Sequence, residues 1–132
     1  MLDNKKILIT GHSGFKGSWL TKILSMKSNA ELYGFSTVSN DNKLYKILDV
    51  RSLVQECDVG DVLDYNHMFE VVHRTEPDII FHLAAQPLVR DSYECPLDTF
   101  NINAGGTANL LEAVRHLKKK CAVICITTDK VY

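Results

Sequence analysis

The 132-residue sequence has no large excess of charge of either sign and no long apolar run. Its 15 lysines and arginines nearly balance 16 aspartates and glutamates, so no basic field points to nucleic acid or to an anionic membrane surface. No segment has the apolar length of a membrane span, and the polar first residues do not resemble a signal peptide. We therefore expect a cytoplasmic protein with neither nucleic acid nor a membrane as partner.

Cysteine is scarce, and its spacing excludes the common cysteine motifs. The four cysteines form no C-x-x-C pair, and the histidines have no metal-ligand spacing, so neither a zinc site nor any other metal site is predicted. Free cysteine is among the most buried residue types. We expect reduced cysteines packed in the core, at Cys57, Cys95, Cys121 and Cys125.

Short apolar runs alternate with helical patterns along the chain, which is typical of β-α-β units. Strands are predicted over residues 5–10, 31–36, 54–57, 79–83 and 121–127. Helices are predicted over 14–27, 65–74 and 97–117, with a loop over 37–51 that has room for one helical turn and a second loop over 86–96. Right-handed crossovers then give a Rossmann-type, doubly wound parallel α/β sheet of five strands in the order 3-2-1-4-5. The helices are expected to turn two apolar stripes to the core: Phe15, Trp19 and Ile23 with Leu20 and Leu24 beside them, and Phe100, Ala104, Thr107, Leu111, Val114 and Leu117.

A glycine-rich turn follows the first predicted strand. It has the pattern G-x-x-G-x-x-G at Gly11, Gly14 and Gly17 and opens the first helix. The first glycine permits a tight turn, the second lets a diphosphate approach the backbone, and the third lets helix and strand pack closely. Free N–H groups and the positive end of the helix dipole favour an anion at this point. The pattern therefore predicts a dinucleotide site near the start of the chain.

The turn and four later motifs resemble the extended branch of the short-chain dehydrogenase/reductase family. These motifs are Gly60-Asp61-Val62, the run from His82 to Gln86, Asn103 followed by Gly106-Thr107, and Thr127-Thr128-Asp129-Lys130. The resemblance implies adenine recognition by Asp61 and lining of the cofactor ribose by the second motif. It also implies an active-site support at Asn103. The implied cofactor-binding residues are Gly11, Ser13, Gly14, Phe15, Lys16, Gly17, Ser36, Asp61, Val62, Leu83, Ala84, Ala85, Gln86, Asn103 and Thr127.

Within that family the chain is similar to the nucleotide-sugar 4,6-dehydratases that act on CDP-glucose. The similarity lies in T-G-H-S-G-F-K-G-S-W-L, A-A-Q-P-L-V-R-D-S-Y and T-T-D-K-V-Y. Thymidine-linked relatives carry glutamate where this chain has Lys130. The resemblance implies an internal redox reaction, in which bound NAD takes a hydride from C4, water leaves across C5 and C6, and the hydride returns to C6.

The same resemblance assigns roles to residues near the end of the sequence. Thr128 would hydrogen-bond the C4 hydroxyl, and Asp129 and Lys130 would transfer protons at C5 and C6, since elimination needs a base and a protonated leaving group. Arg90 is the predicted contact for the sugar nucleotide. Family members usually form dimers through helices, so a homodimer is the expected assembly.

Two features depart from the family pattern. No tyrosine is followed four residues later by lysine, although the family uses such a Y-x-x-x-K pair for catalysis. We therefore expect residues 1–132 to be an NAD(P)-binding domain whose catalytic and substrate-binding part is absent from this chain. No acidic residue stands at the end of the second strand, where Ser36 and Thr37 lie, so NADP stays open as a less favoured cofactor, with Lys16 as a possible partner for its 2′-phosphate.

Two other functions also stay open. The chain could belong to a different epimerase or dehydratase of the extended family, although Lys130 and the string A-A-Q-P-L-V-R argue against this. It could instead be a nucleotide-binding module without catalytic activity, which the missing tyrosine–lysine pair favours.

Overall fold

The structure, a computed structural model, describes residues 2–37 and 42–127. The strands are β1 (Lys6–Thr10), β2 (Glu31–Ser36), β3 (Glu56–Val59), β4 (Ile79–His82) and β5 (Ala122–Cys125). The helices are α1 (Phe15–Lys27), α2 (Lys43–Ile47), α3 (Val50–Leu53), α4 (Tyr65–Thr75), α5 (Val89–Glu94), α6 (Pro96–Phe100) and α7 (Gly106–Arg115), with a π-helical turn over Asn101–Gly105.

The five strands form one parallel sheet in the order β3-β2-β1-β4-β5, which confirms the predicted fold class and strand order. The last residue of β1, Thr10, is aligned with Phe35 of β2 and His82 of β4. The chain therefore leaves β1 toward β2 on one side and reaches β4 on the other. This reversal of strand order is the place where open α/β sheets bind ligands, at the carboxyl ends of the strands.

Alternate residues of the central strands belong to two separate buried apolar clusters, one on each face of the sheet. On one face, Leu8 and Ile80 pack with residues of α4 and α7, including Met68 and Leu110. On the other face, Ile7 and Ile9 pack with residues of α1 and β2. Because both faces of β1 are covered, the strand is apolar and buried between Lys6 at its start and Thr10 at its carboxyl end.

The face that α1 turns to the sheet differs from the predicted one. Phe15, Trp19 and Ile23 are exposed, by 69%, 44% and 52%, so the predicted core stripe is wrong at these three positions. It is right at Leu24, which is buried, and at Leu20, which packs against the same cluster. The other buried residues of α1 are Gly17, Ser18 and Thr21. The helix lies so close to the turn after β1 that only small side chains fit between them. The hydroxyl groups of Ser18 and Thr21 donate hydrogen bonds to backbone carbonyl groups, as in the 2.8 Å hydrogen bond from Thr21 to the Gly17 carbonyl oxygen.

The predicted helix over 97–117 is divided by the π-helical turn, and its predicted stripe is only partly right: Val114 and Leu117 pack against the core, but other members do not. The buried residues of α7 are Gly106, Leu110 and Ala113, whereas Phe100 and Leu111 are 67% and 45% exposed. A π-helical turn adds a residue to one turn of the helix. Apolar residues before and after Asn101–Gly105 therefore do not continue one stripe.

Some smaller predictions need correction as well. The predicted loop over 37–51 contains α2 and the start of α3, which is more helix than the single turn expected there, and the predicted loop over 86–96 contains α5. Residues 38–41 lie outside the described part of the chain. The cysteines are free thiols as predicted, but none is buried: Cys57 and Cys121 are half-buried, and Cys95 and Cys125 are exposed. Cys125 is exposed because it lies on β5, at the edge of the sheet. Across residues 2–37 and 42–127, none of the helices combines the length and the apolar character needed to cross a bilayer.

Candidate functional site

A cleft of about 1070 Å³ opens at the carboxyl ends of β1, β2, β4 and β5. The structure brings every residue that the sequence predicted for cofactor binding to the wall of this cleft. These residues are Gly11, Ser13, Gly14, Phe15, Lys16, Gly17, Ser36, Asp61, Val62, Leu83, Ala84, Ala85, Gln86, Asn103 and Thr127. That they bind a cofactor remains a prediction.

Backbone packing around two glycines forms the bottom of the cleft. Gly11 has φ +71°, and a methyl group on it would lie 2.8 Å from the amide nitrogen of Ala84. A methyl group on Gly17 would lie 2.1 Å from the carbonyl oxygen of Gly11. The Gly11 N–H donates to the Phe35 carbonyl oxygen at 2.7 Å, which ties the turn to β2. No side chain fits at either glycine, so the turn, the start of α1 and the exit of β4 are in direct backbone contact.

The amino-terminal end of α1 opens into the cleft. Gly14 is the N-cap residue and has no side chain with which to cap the helix. Hydrogen bonding within the helix begins with the Ser18 N–H, which donates to the Gly14 carbonyl oxygen at 2.9 Å. The first turn contains Lys16 and no acidic residue. Its N–H groups and the helix dipole therefore favour a negatively charged group at this end of the cleft.

Asn103 binds the backbone of Gln86, in the segment after β4 that lines the cleft. Its Oδ1 accepts a hydrogen bond from the Gln86 N–H at 2.8 Å, and its Nδ2 donates to the Gln86 carbonyl oxygen at 3.2 Å. The Gln86 side chain in turn donates to the Thr99 hydroxyl at 3.1 Å. Because Asn103 lies in the π-helical turn, this turn sets the distance between the helix and the segment that follows β4.

The loop after β3 forms the side of the cleft where the sequence predicts the adenine contact. Asp61 accepts a hydrogen bond from the Leu63 N–H on Oδ1 at 2.9 Å. Asn109 of α7 donates to the carbonyl oxygens of Val62 and Leu63 at 3.0 and 3.2 Å. Gly106 lets α7 pack directly on Val62, since a methyl group there would lie 2.5 Å from Val62 Cγ2. These contacts fix a loop that presents an exposed carboxylate and an apolar side chain to the cleft.

The end of β2 presents hydroxyl groups to the cleft. Ser36 and Thr37 line it here, and Lys16 lines it from α1. The only carboxylates that line the cleft among residues 2–37 and 42–127 are those of Asp61 and Asp91, which follow β3 and lie in α5. Asp41, the nearest acidic residue after β2 in the sequence, lies outside the described residues.

Some predicted site residues are not brought to the cleft. Arg90 is on α5, where its guanidinium is 89% exposed and pairs with Glu94 at 3.3 Å, and it is not one of the residues that line the cleft. Its role in substrate binding remains a prediction. Thr128, Asp129 and Lys130 lie outside the described residues, immediately after Thr127 at the edge of the cleft.

Several residues line the cleft that sequence reasoning did not assign to the cofactor. They include Thr99 and Thr107, together with Asp91 and Ser92 of α5. The segment 86–96 was predicted as a loop, so α5 gave no sequence signal as a cleft wall. Predicting Thr99 and Thr107 would have required knowing which helix face lines the cleft, and the π-helical turn between them changes that face.

The order of the strands, the glycine turn and the cleft together define a Rossmann-type domain of the extended short-chain dehydrogenase/reductase class. A sequence model of the family described as GDP-mannose 4,6 dehydratase matches residues 8–132. The chain belongs to this family, whose members include nucleotide-sugar dehydratases and epimerases.

Individual relatives agree with this assignment. The chain is 40% identical to CDP-glucose 4,6-dehydratase of Salmonella typhimurium over 98% of its own length and 36% of that protein. It is 37% identical to CDP-paratose 2-epimerase of Salmonella typhi over 96% of its length and 38% of that protein. A crystal structure of UDP-glucose 4-epimerase from Brucella ovis in complex with NAD superposes with a TM-score of 0.68 at 29% identity, covering 84% of this chain and 32% of the other. The chain thus spans about a third of the length of these relatives.

Proposed function

We propose that this chain binds NAD in the cleft and forms the cofactor-binding part of a nucleotide-sugar 4,6-dehydratase that acts on CDP-glucose. The observation that carries the proposal is the junction of the glycine turn with α1, where the uncapped end of the helix faces the cleft. In the proposal, residues 1–132 make up the cofactor domain. The sequence has no Y-x-x-x-K pair, so we expect no turnover from this chain alone.

The shape of the turn fits a diphosphate. A methyl group on Gly14 would meet only the Gly11 carbonyl oxygen, at 3.3 Å, so the other side of Gly14 is open to the cleft. The free N–H groups of the first turn of α1 would bind the diphosphate there, with Lys16 adding a positive charge. A nicotinamide dinucleotide, when bound, supplies reversible hydride transfer.

Other walls of the cleft suit the remaining parts of a dinucleotide. Asp61 keeps one carboxylate oxygen for the exocyclic amine of adenine, and Val62 offers an apolar contact beside it. Leu83, Ala84 and Ala85 would lie along a ribose, with Asn103 fixing the backbone that follows them. In this arrangement the residues of the chain bind and orient the cofactor.

The choice of CDP-glucose as substrate is supported by the similarity to the Salmonella dehydratase. It is also supported by Lys130, the residue that CDP-glucose enzymes of the family carry after the catalytic aspartate. We propose that Thr128 binds the C4 hydroxyl and that Asp129 and Lys130 move protons at C5 and C6. Arg90 is the proposed contact for the sugar nucleotide, which would require its side chain to leave Glu94.

Calorimetric titration of the chain with NAD tests the cofactor site, with two glycine variants as a matched pair. Gly14→Ala places a methyl group beside the proposed diphosphate position, and we expect it to weaken NAD binding about tenfold or more. Gly105→Ala is the control, because its methyl group would make only an ordinary 3.7 Å contact with Leu63, away from the cleft. Absence of NAD binding by the unaltered chain, or equal affinities of the two variants, would refute the proposed site.

NADP is the second candidate cofactor, favoured by Lys16 and by the hydroxyls of Ser36 and Thr37 at the end of β2. Titration with NADP under the same conditions compares the two dinucleotides directly. Tighter binding of NADP, lost in Lys16→Gln, would replace NAD in the proposal. Sedimentation of the same samples measures whether the chain forms the predicted homodimer.

A chimera tests the substrate and the proposed catalytic residues. This chain would replace the matching first part of the Salmonella CDP-glucose 4,6-dehydratase, and formation of the 4-keto-6-deoxy sugar would be measured. We expect turnover of CDP-glucose and its loss in Thr128→Val and Lys130→Met. A folded chimera that binds the cofactor but converts a different nucleotide sugar would refute the CDP-glucose assignment.

A further inference from the structure

A continuous chain of hydrogen bonds runs beneath the cleft from the exit of β4 to the π-helical turn. The Ala84 N–H donates to Thr10 Oγ1 at 3.3 Å, and Thr10 Oγ1 lies 2.7 Å from Nδ1 of His82. Nε2 of the same ring lies 3.0 Å from Thr107 Oγ1, which donates to the Asn103 carbonyl oxygen at 2.7 Å. We refer to these five groups as the His82 relay.

The direction of each hydrogen bond in the relay follows from its last member. The Asn103 carbonyl can only accept, so the one proton of the Thr107 hydroxyl is committed to it. Thr107 Oγ1 must then accept from His82, which places a proton on Nε2. Burial lowers the pKa of His82, which favours a neutral ring with Nδ1 free to accept from Thr10. Thr10 keeps a lone pair for the Ala84 N–H, and every polar atom of the relay is satisfied.

Both ends of the relay support the same wall of the cleft. Ala84 is part of that wall, and Asn103 clamps the backbone of Gln86 two residues later. The Leu83 N–H also donates to the Thr10 carbonyl oxygen, at 3.1 Å. His82 is only 3% exposed, so it acts on this wall through its two threonine partners.

We infer that His82 is a positioning residue that, as the neutral Nε2–H tautomer, holds residues 83–86 at a fixed distance from the π-helical turn. The opposite tautomer would offer a donor to Thr10 and no donor to Thr107, so it would break the relay at its second half. The consequence for a bound dinucleotide rests on the proposed function, whereas the tautomer and the backbone position do not.

The first test reads the tautomer directly in the unaltered chain without cofactor. Two-bond ¹H–¹⁵N correlation spectra of histidine-labelled chain distinguish protonated from unprotonated ring nitrogens, and His82→Gln identifies the His82 signals. At about pH 7.5 we expect a protonated Nε2 and an unprotonated Nδ1. A ring protonated on Nδ1, or on both nitrogens, would overturn the inference.

The second test removes the Thr107 hydroxyl from the relay and measures the effect on the Ala84 N–H, on the other side of His82. Thr107→Val removes the acceptor for His82 with little change of shape, whereas Thr107→Ser retains a hydroxyl. We expect Thr107→Val to lower the hydrogen-exchange protection of the Ala84 amide about fivefold and to weaken NAD binding by a similar factor, with Thr107→Ser close to the unaltered chain. Equal Ala84 protection in the two variants would overturn the positioning role. If the unaltered chain binds no NAD, the proposed function fails, and the tautomer and Ala84 measurements still decide the relay.

Discussion

Acidification is expected to destabilise the fold through two buried histidines, His12 and His82. Burial lowers the pKa of both rings below the ordinary histidine value of 6.5. Between the folded pKa and 6.5, the unfolded chain binds more protons at these sites than the folded chain. Stability therefore rises with pH through this interval, is complete above it, and is lost as the pH falls.

The charged and titratable groups that face His12 act in both directions. Arg51 opposes a positive charge on the ring, and Asp58 favours it. Cys57 Sγ lies 3.2 Å from Nε2, and the ring of Tyr45 meets the imidazole edge-on at 5.7 Å between centroids. Burial outweighs these contributions, because the imidazole is fully enclosed.

The surroundings of His82 contain fewer groups that titrate. Thr10 and Thr107 occupy its two nitrogens, and Cys125 is aligned with it on β5. Burial is the cause that lowers the pKa of His82. A second proton on the ring would also leave the Thr10 hydroxyl without its acceptor.

The magnitude follows from linkage. A histidine that stayed neutral in the folded chain throughout would contribute at most about 1–2 kcal/mol between about pH 7.5 and 5.5, since this interval is centred on the ordinary histidine value of 6.5. The two sites together give an upper value of about 3 kcal/mol, a large share of the roughly 5–15 kcal/mol typical of globular domains. The hydrogen bond from Lys119 lowers the pKa of the Asp78 carboxyl below its ordinary value, so this group titrates below the interval.

Urea unfolding at the two pH values measures the effect. We expect His12→Gln and His82→Gln each to reduce the difference in unfolding free energy between the two pH values. Arg90→Ala, at an exposed surface position, should leave the difference unchanged. Equal stability of the unaltered chain at both pH values, or an undiminished difference in the double variant, would refute the reasoning.

Two further predictions concern helix packing. Leu110→Ala should lower the free energy of unfolding by about 2–5 kcal/mol, whereas Leu111→Ala should change it by less than about 1 kcal/mol, because Leu110 is fully buried and Leu111 is 45% exposed. Equal losses of unfolding free energy in the two variants, measured by urea unfolding, would contradict the orientation of α7 that buries Leu110 and exposes Leu111. Gly17→Ala should cost about 2 kcal/mol or more, since its methyl group would lie 2.1 Å from a backbone oxygen, while Gly105→Ala should be neutral or stabilising by up to about 1 kcal/mol. A Gly17→Ala chain as stable as Gly105→Ala would show that the turn can move away from α1.

The strand order and the walls of the cleft could be predicted because both depend on local signals. Continuous apolar runs mark buried parallel strands, and the right-handed crossover rule then leaves few arrangements. The glycine turn follows β1 directly, and the segment 83–86 follows β4 directly. Since the carboxyl ends of parallel strands meet at one edge, these motifs had to converge there.

The orientation of α1 could not be predicted from apolar periodicity. Phe15, Trp19 and Ile23 are exposed, because the close approach of the start of α1 to Gly11 admits only small residues, Gly17 and Ser18, on the buried side there. Ser18 and Thr21 look unsuitable for a core until their backbone acceptors are known. Apolar periodicity identifies a helix, but the short distance between the backbones of Gly17 and Gly11 determines which side of α1 is buried.

The π-helical turn explains why the sequence did not predict which residues of α7 are buried. A helical pattern was read across residues 97–117 at one period, and Asn101–Gly105 interrupts that period. Nothing in the sequence N-I-N-A-G requires a wider turn. The backbone of Gln86, which Asn103 clamps with two hydrogen bonds, supplies a tertiary reason for the turn that local propensity does not contain.

The pairing of Thr10 with His82 has a consequence for the order in which the molecule folds. These residues are 72 positions apart, whereas β1 and β2 are joined by α1 alone. Closing the longer loop costs more chain entropy, so the β1-α1-β2 unit should form before β4 docks beside β1. The glycine turn would then form before the backbone of Leu83 and Ala84, against which Gly11 packs, is in place. Under the proposed function, NAD binding would therefore report that β4 has joined the sheet, and a partly folded chain with only the β1-α1-β2 unit would have the turn without the affinity for NAD.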